Sequence, residues 1–155
     1  MAIQIGQPAP DFTLFDDNKQ KVTLSEQKGK NVVLLFFPMA FTGVCTKELC
    51  GIRDNMNIYS GLDAVVFGIS VDTVPTLAKF KAEQNYNFSL LSDFNKEVSA
   101  AYGALYETFA FDMKGVSKRS AFVLDKEGTV RYAEVLEVAG DVPNFDAVQA
   151  CLKSL

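Results

Sequence analysis

Three cysteines and no histidine set the chemical limits of this 155-residue chain. Without imidazole there is no Ser-His-Asp or Cys-His catalysis and no histidine metal ligand. Thiol chemistry must therefore activate sulfur by other means, and Cys45 is placed for it. An apolar run ends at Pro38, a short loop follows, and a helical pattern begins near Cys45. A cysteine in a first helical turn meets the positive end of the helix dipole and unpaired N–H groups. Both favour the thiolate, the nucleophilic form. Thr42 can set a hydroxyl beside that sulfur or cap the helix, and Gly43 lets the backbone turn tightly. A metal site built from Cys45, Cys50 and carboxylates has too sparse a ligand set to expect one.

The elements that must position Cys45 are legible from periodicity. Residues 12–15 and 22–24 flank a polar stretch and predict a small β-hairpin. Residues 31–37 are almost continuously apolar, as in a strand buried on both faces of a sheet. Leu49, Ile52, Met56 and Tyr59 recur at helical spacing and predict one amphipathic helix over 45–59. Residues 64–71 read as a second buried strand. Asp72 or Thr73 can cap a helix starting near Pro75, with Leu77 and Phe80 on its inner face. A short strand is expected at 88–91, a short helix at 95–102 and a long loop over 103–118. Strands at 121–124 and 129–136 join through Asp125-Lys126-Glu127-Gly128, and a helix over 144–155 closes the chain. Crossover helices imply a parallel portion and the late hairpin an antiparallel edge. The expected fold is α/β: a thioredoxin-like mixed β-sheet flanked by helices, with an N-terminal β-hairpin extension, in one domain over 1–155.

Composition narrows the function further. Apolar residues make up 48% of the chain, with 13 Phe, enough to build a substantial core. The net charge of −4 disfavours nucleic acid as a partner, and the densest basic run, 114–119, holds only three cations. No apolar run is long enough to span a bilayer, and the first residues lack a basic-then-apolar leader. A cytoplasmic protein with no membrane partner is the expectation. An odd cysteine count argues against a disulfide framework.

Pro38, Thr42 and Cys45 make Pro-x-x-x-Thr-x-x-Cys, with Glu48 three residues on. This resembles the active-site signature of the peroxiredoxins. Arg119-Ser120-Ala121-Phe122-Val123-Leu124-Asp125 is similar to the strand on which that family places its active-site arginine. The opening Gly6-x-x-Ala9-Pro10-Asp11-Phe12-Thr13-Leu14 is similar to the family's start. The loop 40–45 resembles the alkyl hydroperoxide reductase E type, while the Cys45–Cys50 spacing resembles the bacterioferritin-comigratory-protein branch.

The resemblance implies a thiol-dependent peroxidase acting on hydrogen peroxide and small organic hydroperoxides, with no cofactor and no metal. Cys45 would be the peroxidatic thiolate, and Arg119 a cation beside it that orients the peroxide. Thr42 would hydrogen-bond the peroxide, and Pro38 would shield the sulfur. Backbone N–H groups at Val44 and Cys45 would hold peroxide oxygens. Glu48 would support Arg119 or simply sit favourably near a helix start. The sulfenic acid formed at Cys45 would be recycled by Cys50 or by an external thiol, such as a thioredoxin-like reductant. Cys50 is equally readable as a core thiol. In an intact helix its Cα would lie roughly 8–9 Å from that of Cys45, beyond the usual reach of a disulfide, so resolution requires the helix to unwind. Cys151 shares an apolar stripe and reads as an inert thiol. Phe41 and residues 109–111 read either as core or as a homodimer contact beside the site. Two alternatives stand: a peroxide-responsive redox sensor, and a thioredoxin-like disulfide oxidoreductase. The latter usually uses Cys-x-x-Cys, whereas four residues separate Cys45 from Cys50 here.

Overall fold

The computed structural model describes residues 3–155; Met1 and Ala2, at the start of the span expected to form one domain, lie outside the described residues. One seven-stranded sheet, ordered β2-β1-β5-β4-β3-β6-β7, runs through the molecule. Its interior includes β3 (Asn31–Phe36), in which all six residues are buried. Alternation splits that strand between two cores. Val33 and Leu35 pack with Leu49, Ile52, Leu77, Phe80 and Val148, while Val32, Leu34 and Phe36 pack with Phe12, Val98, Tyr102 and Phe122. A strand apolar on both sides is what a doubly covered sheet requires.

β3 pairs in parallel with β4 (Ala64–Ser70), which pairs in parallel with β5 (Ser89–Ser92). On its other side β3 pairs antiparallel with β6 (Ser120–Leu124), and β6 with β7 (Val130–Val135). The N-terminal hairpin, β1 (Thr13–Asp16) and β2 (Lys21–Thr23), joins the same sheet through β1 and β5. The mixed sheet and the hairpin extension are thus as the sequence predicts. Gly68 in β4 makes room for the side chain of its sheet neighbour: a Cβ there would stand 2.8 Å from Leu90 Cδ2.

The helix expected over 45–59 is two helices, α1 (Gly43–Asp54) and α2 (Met56–Gly61). The break falls at Asn55, whose side-chain amide donates to the Gly51 carbonyl at 2.8 Å. Asparagine competes in this way with the backbone ladder, which a spacing of apolar residues does not register. α3 (Val74–Gln84) is capped by Thr73, whose hydroxyl accepts from Thr76 N–H, with Pro75 in the first turn. Asp72, the other candidate cap, instead accepts from Ala40 N–H in the loop after β3. α4 (Glu97–Ala101) is shorter than expected, and α5 (Phe145–Lys153) is capped by the Asn144 side chain. Residues 103–118 form the expected long connection, with one 3-10 turn at Ala110–Asp112. No helix among the described residues is long and apolar enough to cross a membrane.

Candidate active site

The end of β3 leads into a loop that sets up the start of α1. Pro38 is buried, and the next turn passes through Phe41 at φ 65°. Thr42 occupies the N-cap position of α1 in extended conformation, yet its side chain does not cap. Its hydroxyl donates to the Met39 carbonyl at 2.9 Å and so stabilises the loop. Thr46 N–H is the first to bond back, to Thr42 O at 2.9 Å. The N–H groups of Gly43, Val44 and Cys45 therefore remain as open donors at the helix start, a ready anion site. Asp72, at the end of β4, holds the loop from the other side: its Oδ2 accepts from Ala40 N–H at 2.8 Å and from Ser70 Oγ at 2.7 Å.

Cys45 lies in the floor of this arrangement, only 1% exposed. Arg119, immediately before β6, reaches it across the sheet. One guanidinium nitrogen, Nη2, donates to Cys45 Sγ at 3.3 Å. Nη1 donates to Glu48 Oε1 at 2.7 Å. Nε and Nη2 both donate to the Ala139 carbonyl, at 3.1 and 3.0 Å. The planar fork is thus fixed on three sides, which a lysine could not reproduce. A cation held against sulfur stabilises negative charge on it.

The charges around Arg119 do not divide evenly. The guanidinium stays charged: burial works against it, but the charges of Cys45 and Glu48 more than offset that. Glu48 is one helical turn beyond Cys45, and its side chain is wholly buried. Burial pushes its carboxyl up to about 7, because one shared arginine repays only part of the desolvation. Its second oxygen, Oε2, has no hydrogen-bond partner among the described residues.

Pro38, Met39, Thr42, Gly43, Val44 and Cys45 line an open pocket over the sulfur together with Phe109, Arg119, Ala139 and Gly140. The structure brings together Pro38, Thr42, Val44, Cys45, Glu48 and Arg119. It keeps Cys50 apart, further along α1 on a half-buried face. There its Sγ donates to Gln84 Oε1 at 3.5 Å and lies 3.7 Å from Tyr86 Oη. Cys151 in α5 packs against the core, and burial raises its thiol pKa. No cluster of three or more candidate metal ligands occurs among the described residues. Sequence reasoning missed the Ala139 carbonyl, Asp72, Tyr86 and Gly140. A main-chain acceptor carries no side-chain signal, and Asp72 read as a helix cap.

The arrangement can hold a small molecule with two adjacent oxygens. One oxygen faces a nucleophilic sulfur, and the other faces N–H donors and a guanidinium able to take up developing negative charge. Residues 5–133 match the AhpC/TSA family. Alkyl hydroperoxide reductase E of Mycobacterium tuberculosis is 42% identical over 136 residues, covering 86% of this chain and 86% of that protein. Peroxiredoxin Bcp of Bacillus subtilis is 41% identical over 130 residues, covering 83% and 82%. The crystal structure of peroxidoxin BcpB from Mycobacterium tuberculosis superimposes with a TM-score of 0.87 at 31% identity, covering 99% of this chain and 98% of that one.

Proposed function

The chain belongs to the AhpC/TSA family of peroxiredoxins and is a thiol-dependent peroxidase; on that footing we propose that Cys45 is its peroxidatic residue. The carrying observation is Arg119, whose guanidinium joins Cys45 Sγ to Glu48 beneath an uncapped helix start. The Cys45 thiolate attacks one peroxide oxygen. An S–O bond forms, the O–O bond breaks, and the leaving oxygen departs as water or alcohol after taking a proton. Arg119 and the open N–H groups of α1 hold that oxygen as charge builds on it. Thr42 braces the loop through its bond to the Met39 carbonyl and lines the pocket, and Pro38 closes the wall beside the sulfur. Hydrogen peroxide and small organic hydroperoxides are the proposed substrates, since the pocket is open over a recessed sulfur.

Cys45 then carries a sulfenic acid, the first rung of thiol oxidation. Cys50 is the proposed resolving thiol. It shares α1 with Cys45, whereas Cys151 is packed into another helix with its thiolate disfavoured by burial. An external thiol, of thioredoxin-like or other type, then reduces the product. A cytoplasmic location is proposed, and so is a homodimer through exposed aromatic surface, to which Phe41 and Phe111 contribute at 48% and 93% exposure. Peroxide consumption with a dithiol reductant tests the assignment in wild type, Cys45→Ser, Cys50→Ser and Cys151→Ser. Cys45→Ser is expected to abolish turnover, and Cys50→Ser to accumulate sulfenic acid. Full turnover by Cys45→Ser would overturn the assignment. Rapid reaction without cycling on any reductant would favour a redox sensor.

A further inference from the structure

The spacing of Cys45 and Cys50 on one helix makes opening of α1 a step in the reaction, so whatever holds that helix closed governs the step. Residues 84–86, at the end of α3, grip α1 at three places. Tyr86 Oη donates to the Thr46 carbonyl at 3.3 Å, in the turn that carries Cys45. Gln84 Oε1 accepts from the Cys50 thiol, with Tyr86 Oη close by. The Gln84 carbonyl accepts from Arg53, one turn further on. In an α-helix the Thr46 carbonyl is also the acceptor for Cys50 N–H, so Tyr86 touches the very peptide group that must be released. The grip itself is anchored: Tyr86 is 4% exposed, with ring centroids 5.2 Å from Phe80 and 5.4 Å from Phe88. Burial, reinforced by Cys50, keeps its phenol protonated and therefore a donor.

We propose that Tyr86 is a positioning residue for the second half of the cycle, its hydroxyl clamping the Thr46 turn of α1 and thereby setting the rate at which Cys50 reaches oxidised Cys45. This rests on the reading of Cys50 as the resolving thiol. In the step concerned the Cys50 sulfur attacks the Cys45 sulfenic sulfur. The S–S bond forms, the S–O bond breaks, and the hydroxyl leaves as water with the thiol proton. Tyr86 takes no part in the peroxide step, because its hydroxyl bonds to the helix and not to the pocket.

The test is a rapid acid quench of the reduced full chain after one equivalent of hydrogen peroxide, with mass spectrometry of Cys45. It compares wild type with Tyr86→Phe and with Gln84→Ala, which loosens the same grip without touching the ring cluster. The Cys45 thiol should disappear at one rate in all three. The 45–50 disulfide should form roughly five-fold faster in Tyr86→Phe, the factor expected for one neutral hydrogen bond. Under excess peroxide, sulfinic acid at Cys45 should fall by a similar factor, because disulfide formation competes with the second oxidation, while amide exchange in the β3 and β4 core stays as in wild type, which general loosening of the core would not allow. Equal or slower disulfide formation in both variants overturns the clamp while leaving Cys50 as resolver. A changed rate of thiol loss in Tyr86→Phe also overturns it. Absence of the disulfide in wild type and variants alike overturns the resolver reading, and the clamp with it.

Discussion

Arg119 serves three acceptors at once, and each restricts it differently. The Ala139 carbonyl takes two of its N–H groups and fixes the plane of the fork. Glu48 then sets where the remaining charge is felt. A buried carboxylate whose second oxygen is unpaired is costly, and protonation relieves that cost. Its folded-state pKa, raised from 4.5 to about 7, gives the sign of a pH effect. Below about pH 4.5 the carboxyl is protonated in both folded and unfolded chains, and its contribution is fully present. As pH rises through about 7, the folded state must give up a proton it prefers to keep, so stability is lost. Wild type should therefore lose stability relative to Glu48→Gln between about pH 4.5 and 7, by an amount on the order of 3 kcal/mol. Urea unfolding of both proteins at pH 5 and pH 8 measures this. A relative gain in wild-type stability over that interval would show that the ion pair outweighs burial.

At the scale of elements, the site depends on two strand ends, one strand start and one helix start held in register. β3 delivers Pro38, β4 delivers Asp72, and β6 begins directly after Arg119. Asp72 is the connecting piece, since its carboxylate fixes the Ala40 N–H within the loop that carries Thr42 and leads into the Cys45 turn of α1. Removing that acceptor leaves a half-buried N–H unpaired and lets the loop drift, and small misplacements of catalytic groups are expensive. Asp72→Ala should lower kcat/KM for peroxide roughly ten-fold, while Asp72→Asn, which keeps an acceptor oxygen, should stay near wild type. Steady-state rates for the pair decide it; equal losses in both would point to charge and not to the hydrogen bond. The α1–α2 break at Asn55 also matters here, because it leaves α1 a short helix whose two cysteines lie on one continuous stretch.

The whole molecule leaves bulky apolar groups in water close to the site. Phe111 is 93% exposed at φ 60°, and Phe41 is 48% exposed at φ 65° while its ring also rests on Phe80. Positive φ at a phenylalanine costs conformational energy, and within a single chain the exposed rings bury little to compensate. Val138 and Val142 add exposed apolar surface in the segment after β7 that also carries Ala139 and Gly140 of the pocket. A second copy covering this face would bury the rings and shelter the pocket rim. Sedimentation equilibrium should find wild type dimeric and Phe111→Glu monomeric, with little change in thermal stability of the isolated fold because the side chain touches little. A wild-type protein that stays monomeric at micromolar concentration would sink the dimer.

The sequence determined what is local. The apolar run of β3, the Thr73–Pro75 helix start, the turn through Gly128 at φ 84° and the strand-loop-helix placing of Cys45 each depend on residues within a few positions of one another. Side-chain type and period carry that information directly. Arg119 was legible by family likeness and not by spacing, for it meets Cys45 across 74 residues of chain. That meeting is decided by sheet order: β3 lies antiparallel to β6, with Phe36 opposite Ser120. Only tertiary structure could supply the Ala139 carbonyl, the hold of Asp72 on Ala40, the grip of Tyr86 on Thr46 and the burial that lifts Glu48. Main-chain groups are chemically alike along every chain, so which of them becomes a partner is settled by packing and not by residue type.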